Sequence, residues 1–219
     1  MKQQLKITPK VLNQENDVVI QYSDSYLINK DTILEVPNQY IAIAYVDGKM
    51  KFRQGPGEYF VYKINKDYLK SELKVAFIKK QAIPSLIWGF GNINVNNERL
   101  KEAYRVGANG QLQFKIVGVN DLLNSFPFAK DITSEMIKQN VIPVIKNIGA
   151  DVLAKYFANT SISVFEINSK LEEIREKLLN ALVTDNAFKG LGLEITNLTL
   201  NPIHVPEEDL EIIRNRINN

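Results

Sequence analysis

Apolar positions along this chain recur with two periods, and the change between them falls near residue 130. Before it, short runs rich in β-branched and aromatic residues are separated by turn residues. Residues 17–22 (DVVIQY), 32–36, 40–46, 49–53 and 59–63 predict strands. So do 73–79 (LKVAFIK), a piece around Ile93 and Val95, 103–107 and 110–117. In the last of these Leu112, Phe114 and Ile116 alternate with Gln111, Gln113 and Lys115, the period of a half-buried antiparallel strand.

After residue 130 the period is helical. Across 166–188, Ile167, Leu171, Ile174, Leu178 and Leu182 step by three or four and form one apolar stripe. Ser163 with Glu166 reads as a capping box at its start, Gly190 as its stop, and Glu173 with Lys177 as an outer-face ion pair. An earlier helix is expected over 132–158, with Ile137, Val141, Ile145, Ile148 and Val152 inward. Pro143 predicts a kink or break inside it. Residues 192–203 (GLEITNLTLNPI) return to alternation with one slip of phase at Thr196-Asn197, predicting a late strand. Pro206 then opens a helix whose first residues, Glu207, Glu208 and Asp209, complement its dipole. That helix is still running at residue 219, so a longer protein is expected. The pattern as a whole is α+β.

Two tight turns punctuate the strand-rich half. Asp47-Gly48, between IAIAYV and KMKF, is a strong two-residue hairpin signal. Gly55-Pro56-Gly57 follows one short strand later. It has neither the Lys-Ser/Thr of a P-loop nor a helix after it, and Pro56 has no N–H to give a phosphate. It is expected to be a structural turn reversing one strand into the next.

Composition narrows the function. The 219 residues are 45% hydrophobic and 24% charged, an ordinary globular balance. Lys and Arg number 27 against 25 Asp and Glu, a net charge of +2 that does not call for nucleic acid. The chain has no cysteine, which removes disulfides and thiolate chemistry and fits a reducing compartment. No apolar run is long enough to span a bilayer and no signal peptide is apparent, so a cytoplasmic protein is expected.

Candidate chemistry is sparse. His204, the single histidine, stands between two prolines and is tied by no motif to a nucleophile. Carboxylates are scattered along predicted helix faces. Trp88-Gly89-Phe90-Gly91 reads as a glycine-rich loop between strands, where Trp88 and Phe90 either anchor a partner or close one end of the core.

In their order, these segments resemble the band 7, or SPFH, domain superfamily of stomatins, prohibitins and flotillins. IAIAYVDGKMKFRQGPGEYFVY is similar to its opening hairpin. KVAFIKKQAIPSLIWGFGNINV, YRVGANGQLQFKIVGVNDLL and GLEITNLTLNPIHVPEE look like its bacterial cytoplasmic branch. The resemblance implies a curved, mainly antiparallel sheet packed against two or three helices, followed by the start of a coiled-coil-like helix. On that basis residues 1–16 are an N-terminal arm, 17–205 the domain and 206–219 the helix start. It also implies a non-catalytic scaffold that self-associates and organises other proteins, often at membranes. No cofactor, metal or nucleic acid follows from it. Leu210, Ile213 and Ile217 would begin the helical seam. Relatives often carry a membrane or acylated segment, or a cysteine-rich zinc module. This sequence shows neither, so membrane contact would run through a partner or a shallow apolar surface. The alternative is an enzyme or small-molecule binder with a site near Trp88 and His204.

Overall fold

The computed structural model describes residues 5–10, 18–80, 85–127 and 129–218. In chain order its strands are β1 (Lys6–Ile7), β2 (Val18–Tyr22), β3 (Tyr26–Leu27), β4 (Ile33–Val36), β5 (Tyr40–Val46), β6 (Lys49–Gln54) and β7 (Gly57–Phe60). Helix α1 (Val61–Ile64) and a 3₁₀ turn lead into β8 (Glu72–Lys79), β9 (Leu86–Asn97) and β10 (Glu102–Ile116). Then come α2 (Val119–Ser125), β11 (Asp131–Thr133), α3 (Ser134–Asn159), α4 (Leu171–Thr184), α5 (Asn186–Gly190), β12 (Leu193–Leu200) and α6 (Glu207–Ile217). Asp17, Pro84 and Asn219 lie outside the described residues.

The chain divides into two compact units, residues 1–81 with 126–137, and residues 82–125 with 138–219. The change of period near residue 130 therefore falls within a segment that returns to the first unit.

The first unit holds two sheets. One has the order β1-β4-β7 and the other β11-β2-β8-β5-β6, with β3 also on β8. All pairings are antiparallel except β1 with β4. Ile7, Ile28, Leu34, Val36, Val61, Leu73, Val75 and Phe77 make its core, every one buried. Burial of such side chains is what drives the sheets together. The Asp47-Gly48 turn has both φ angles positive (49° and 74°), the backbone that suits a two-residue hairpin between β5 and β6. The Gly55-Pro56-Gly57 turn does something different from what its sequence predicts. It passes the chain from β6, in one sheet, to β7, in the other, and Tyr59 Oη donates across it to the carbonyls of Gly55 and Pro56. The predicted strand 59–63 ends early for the same reason. After Phe60 the chain turns into α1, and Val61 is buried while its N–H donates to Thr32 O.

The second unit is built on a three-stranded antiparallel sheet, β12-β10-β9. The Trp88-Gly89-Phe90-Gly91 segment is not a loop: it lies within β9, paired with β10 from Gly110↔Trp88 to Ala108↔Phe90. Its glycines mark an irregularity further on, where the register skips between Val106 and Ala108 and Asn92 takes φ 59°. The two strands predicted over 103–117 are one, β10, running through Gly107 and Gly110. Gly110 is required there because a Cβ would collide with the Thr199 carbonyl oxygen of β12. The phase slip at Thr196 is a bulge: Gln113 pairs with Asn197 and Phe114 with Ile195.

Helix α3 is continuous through Pro143, without the break that residue predicts, and Pro143 is exposed. Ile137, Val141 and Ile145 point inward as expected, but beyond them Gly149, Leu153 and Phe157 are the buried positions while Ile148 and Val152 are only half-buried. The Ile174, Leu178 and Leu182 stripe of α4 is fully buried. Ile167 lies in a 3₁₀ turn (Val164–Lys170) that Ser163 caps by accepting from Phe165 N, in place of a capping box with Glu166. Lys177 Nζ lies 5.9 Å over the Tyr156 ring.

Candidate functional site at the start of the terminal helix

The most organised polar constellation of the second unit is where α6 meets β10. Beyond β12, the chain continues beside β10. Asn201 N–H donates to Asn109 O, and His204 and Gly107 exchange backbone bonds of 2.9 and 2.8 Å. Further along β10, Arg105 N–H donates to a side chain, Asp209 Oδ2, at 2.7 Å. The Arg105 guanidinium closes on the same carboxylate through Nε (3.0 Å) and Nη2 (2.9 Å), and Nη2 also reaches Glu208 at 3.0 Å. Asp209 is 8% exposed. A buried carboxylate held by three charge-assisted or backbone donors is a strong local fastener. The side-chain bonds from Arg105 hold the Asp209 carboxyl below its ordinary value.

Two more contacts flank this clamp. Arg216 Nη1 donates to Lys101 O at 2.7 Å, and Ile213 is 2% exposed. Glu102, also buried, has an Oε2 with no hydrogen-bond partner among the described residues. Burial raises its carboxyl above the ordinary value, and Arg216 offsets part of that rise. Burial, with the Glu102 charge beside it, pushes Tyr104 up to about 12. At the β9–β10 turn, buried Asn97 accepts from the N–H groups of Arg99 and Leu100 and donates to the carbonyls of Phe157 and Thr160.

The residues singled out from the sequence separate across the structure. Trp88 is buried, 2% exposed, and stacks on half-buried Phe90 at 5.7 Å. Phe90 in turn covers Gly149, where a Cβ would come within 2.5 Å of its ring. Trp88 is therefore a core residue and no loop anchor. His204 has an exposed side chain and contributes through its backbone. A cleft of about 610 Å³ is lined by Asp151, Lys155, Tyr156, Lys170, Glu173 and Lys177 among others, and two smaller ones of about 520 Å³ accompany it. Neither Trp88 nor His204 lines any of the three. Among the described residues no group of three or more His, Asp or Glu could hold a metal ion. In the first unit, Asp47 Oδ1 accepts from Glu72 N–H at 2.9 Å, so the hairpin turn is fastened to β8. On α6, Leu210 is half-buried and Ile213 faces inward, while Ile212 and Ile217 are 56% and 63% exposed.

The sequence model of the SPFH domain-Band 7 family matches residues 64–218. The chain belongs to that family. The match begins after the Gly55-Pro56-Gly57 turn and takes in the whole junction of β10 with α6. SPFH domains are generally membrane-associated scaffold modules without catalysis. No helix among the described residues is long and apolar enough to cross a membrane. No curated protein matches the chain.

Two residues of the junction and its neighbouring turn, Arg105 and Asn97, carry no signal in the sequence pattern, because their partners lie far along the chain. Asn97 reaches Phe157 across 60 positions, and Arg105 reaches Asp209 across 104. The three acidic residues opening α6 read as a dipole complement, and nothing beside Asp209 shows that it also has a basic partner.

Proposed function

We propose that this protein is a non-catalytic assembly module that self-associates and organises partner proteins at the cytoplasmic face of a membrane. The observation that carries the reading is the way α6 is mounted. One side of the helix is fixed to its own sheet through Asp209 and Ile213, while Ile217, one turn beyond Ile213 on the same stripe, and Ile212, about 100° round from Ile213, are left exposed. A rigidly mounted helix with exposed apolar side chains is suited to pairing with other helices, where apolar surface left in water is costly. Membership of the SPFH domain-Band 7 family supports the same reading.

Light scattering on the 219-residue chain over a hundredfold range of concentration tests it. Oligomers are expected, and Ile212→Ser with Ile217→Ser should lower the mass. A monomer throughout would refute self-association by this chain. His204→Ala should leave the mass unchanged, because the side chain is exposed and its backbone bonds persist.

A further inference from the structure

We infer that the free edge of β9 is a self-pairing surface, along which one copy of the chain joins the β9 of a second copy in antiparallel register. This rests on the reading of the protein as self-associating and names the strand that does it. β9 ends the sheet β12-β10-β9, and its outer side pairs with no strand among the described residues. An open edge offers a row of backbone donors and acceptors to any second strand, and proteins ordinarily blunt such edges with charge, proline, bulges or shortness.

The other sheet edges here are shorter than β9, and the two longest of them carry charge. β1 has two residues, β11 three and β7 four. β6 has six residues with Lys49, Lys51 and Arg53, and β12 has eight with one charge, Glu194, which Lys115 of β10 offsets. β9 has twelve residues, LIWGFGNINVNN, and not one is charged. Its bulge at Asn92 interrupts the edge once and leaves regularly paired stretches, 86–90 and 93–97, on either side.

Neutrality also selects the occupant. A strand that pairs with its own copy sets its charges opposite like charges, which is destabilising, so β6 meets that penalty and β9 does not. Side-chain amides are self-complementary, each having donors and an acceptor, and Asn94 and Asn96 are exposed on β9. Ile87, 68% exposed, would gain a neighbour. Pairing two β9 strands about a two-fold axis closes the contact, as an isologous interface does.

Charge reversal tests this in the full chain. Ile87→Lys with Asn94→Lys places like charges along the edge in any antiparallel register, and Ile87→Glu with Asn94→Glu does the same with the opposite sign. Each double variant alone should associate about tenfold more weakly or worse, and an equimolar mixture should recover association. If the wild type associates and both variants associate equally well, the β9 inference is overturned while the scaffold reading stands. If the wild type is monomeric at every concentration, both fall. A second route covers variants that fold poorly, which far-UV circular dichroism would reveal. The chain has no cysteine, so Ile87→Cys, Asn94→Cys and Asn96→Cys, made singly and also mixed in pairs, should each be scored for disulfide-linked dimer under mild oxidation. A strong maximum for one variant or one pair supports the pairing and locates its axis. Equal, trace cross-linking in every variant and every pair overturns the inference.

Discussion

Asp209 and Glu102 are carboxylates at one helix–sheet junction whose surroundings shift them in opposite directions. Asp209 has an arginine and a backbone N–H to satisfy it, so its charged form is favoured and its folded value is lowered. Its contribution to stability is present above the unfolded carboxylate value of about 3.9 and is lost as pH falls through the lower folded value. Glu102 Oε2 has no hydrogen-bond partner among the described residues, and the folded value of the carboxyl is raised. Between its unfolded value of about 4.3 and that raised value the native state holds the extra proton, so stability falls as pH rises through the window. Asp209→Asn should therefore cost about 1–2 kcal/mol at pH 7, discounted because the Arg105 side chain is 37% exposed, and progressively less in acid. Glu102→Gln should raise stability at pH 7 by up to about 1 kcal/mol and do nothing below about pH 4. Thermal melts of both variants from pH 3 to 8 check the pair of signs. Parallel pH dependences would contradict this account of the junction.

Elements whose causes are local are legible from their own residues. β5, the Asp47-Gly48 hairpin, the inward stripe of α4 and the bulge at Thr196 all follow from period and turn chemistry. Elements whose causes are distant are not. Gly89 and Gly91 look like loop punctuation because nothing adjacent shows that β10 pairs alongside them. Gly110 looks like the start of a separate strand until the Thr199 carbonyl of β12, far along the chain, is placed where its Cβ would be. The Arg105–Asp209 clamp is equally non-local, and it is the centre of the candidate site. Gly110→Ala isolates the point, since alanine ordinarily stabilises a strand or helix interior relative to glycine. Here it should cost about 3 kcal/mol or more, because the obstacle is backbone and cannot rotate away. Gly190→Ala, where a Cβ meets nothing within 4 Å, is the control and should change stability by well under about 1 kcal/mol. Urea unfolding of the two variants gives the comparison, and equal midpoints would mean that β10 and β12 approach less closely than described.

At the scale of the molecule, the chain leaves the first unit at residue 81 and returns to it at 126–137. The returning strand, β11, is three residues long and pairs with β2 through Ile132↔Ile20, both fully buried. Such a strand has no length in which to show a period, and before a helix it reads as the helix start. Its energetic weight is nonetheless that of a core residue: Ile132→Ala should remove about 2–4 kcal/mol. Two probes can ask where that loss falls. Trp88 is the one tryptophan and belongs to the second unit, so its fluorescence follows that unit, whereas far-UV circular dichroism follows both. The expected result for Ile132→Ala is a dichroism transition that begins at lower denaturant while the Trp88 midpoint moves less, the loss of coincidence that marks a departure from two-state unfolding. Hydrogen exchange should agree, with amides of β2 and β8 exchanging faster and those of β10 and β12 little changed. If both probes shift together by the full amount, the two units unfold as one cooperative body, and a scaffold assembled through β9 or α6 would then feel a mutation in the first unit as strongly as one at its own interface.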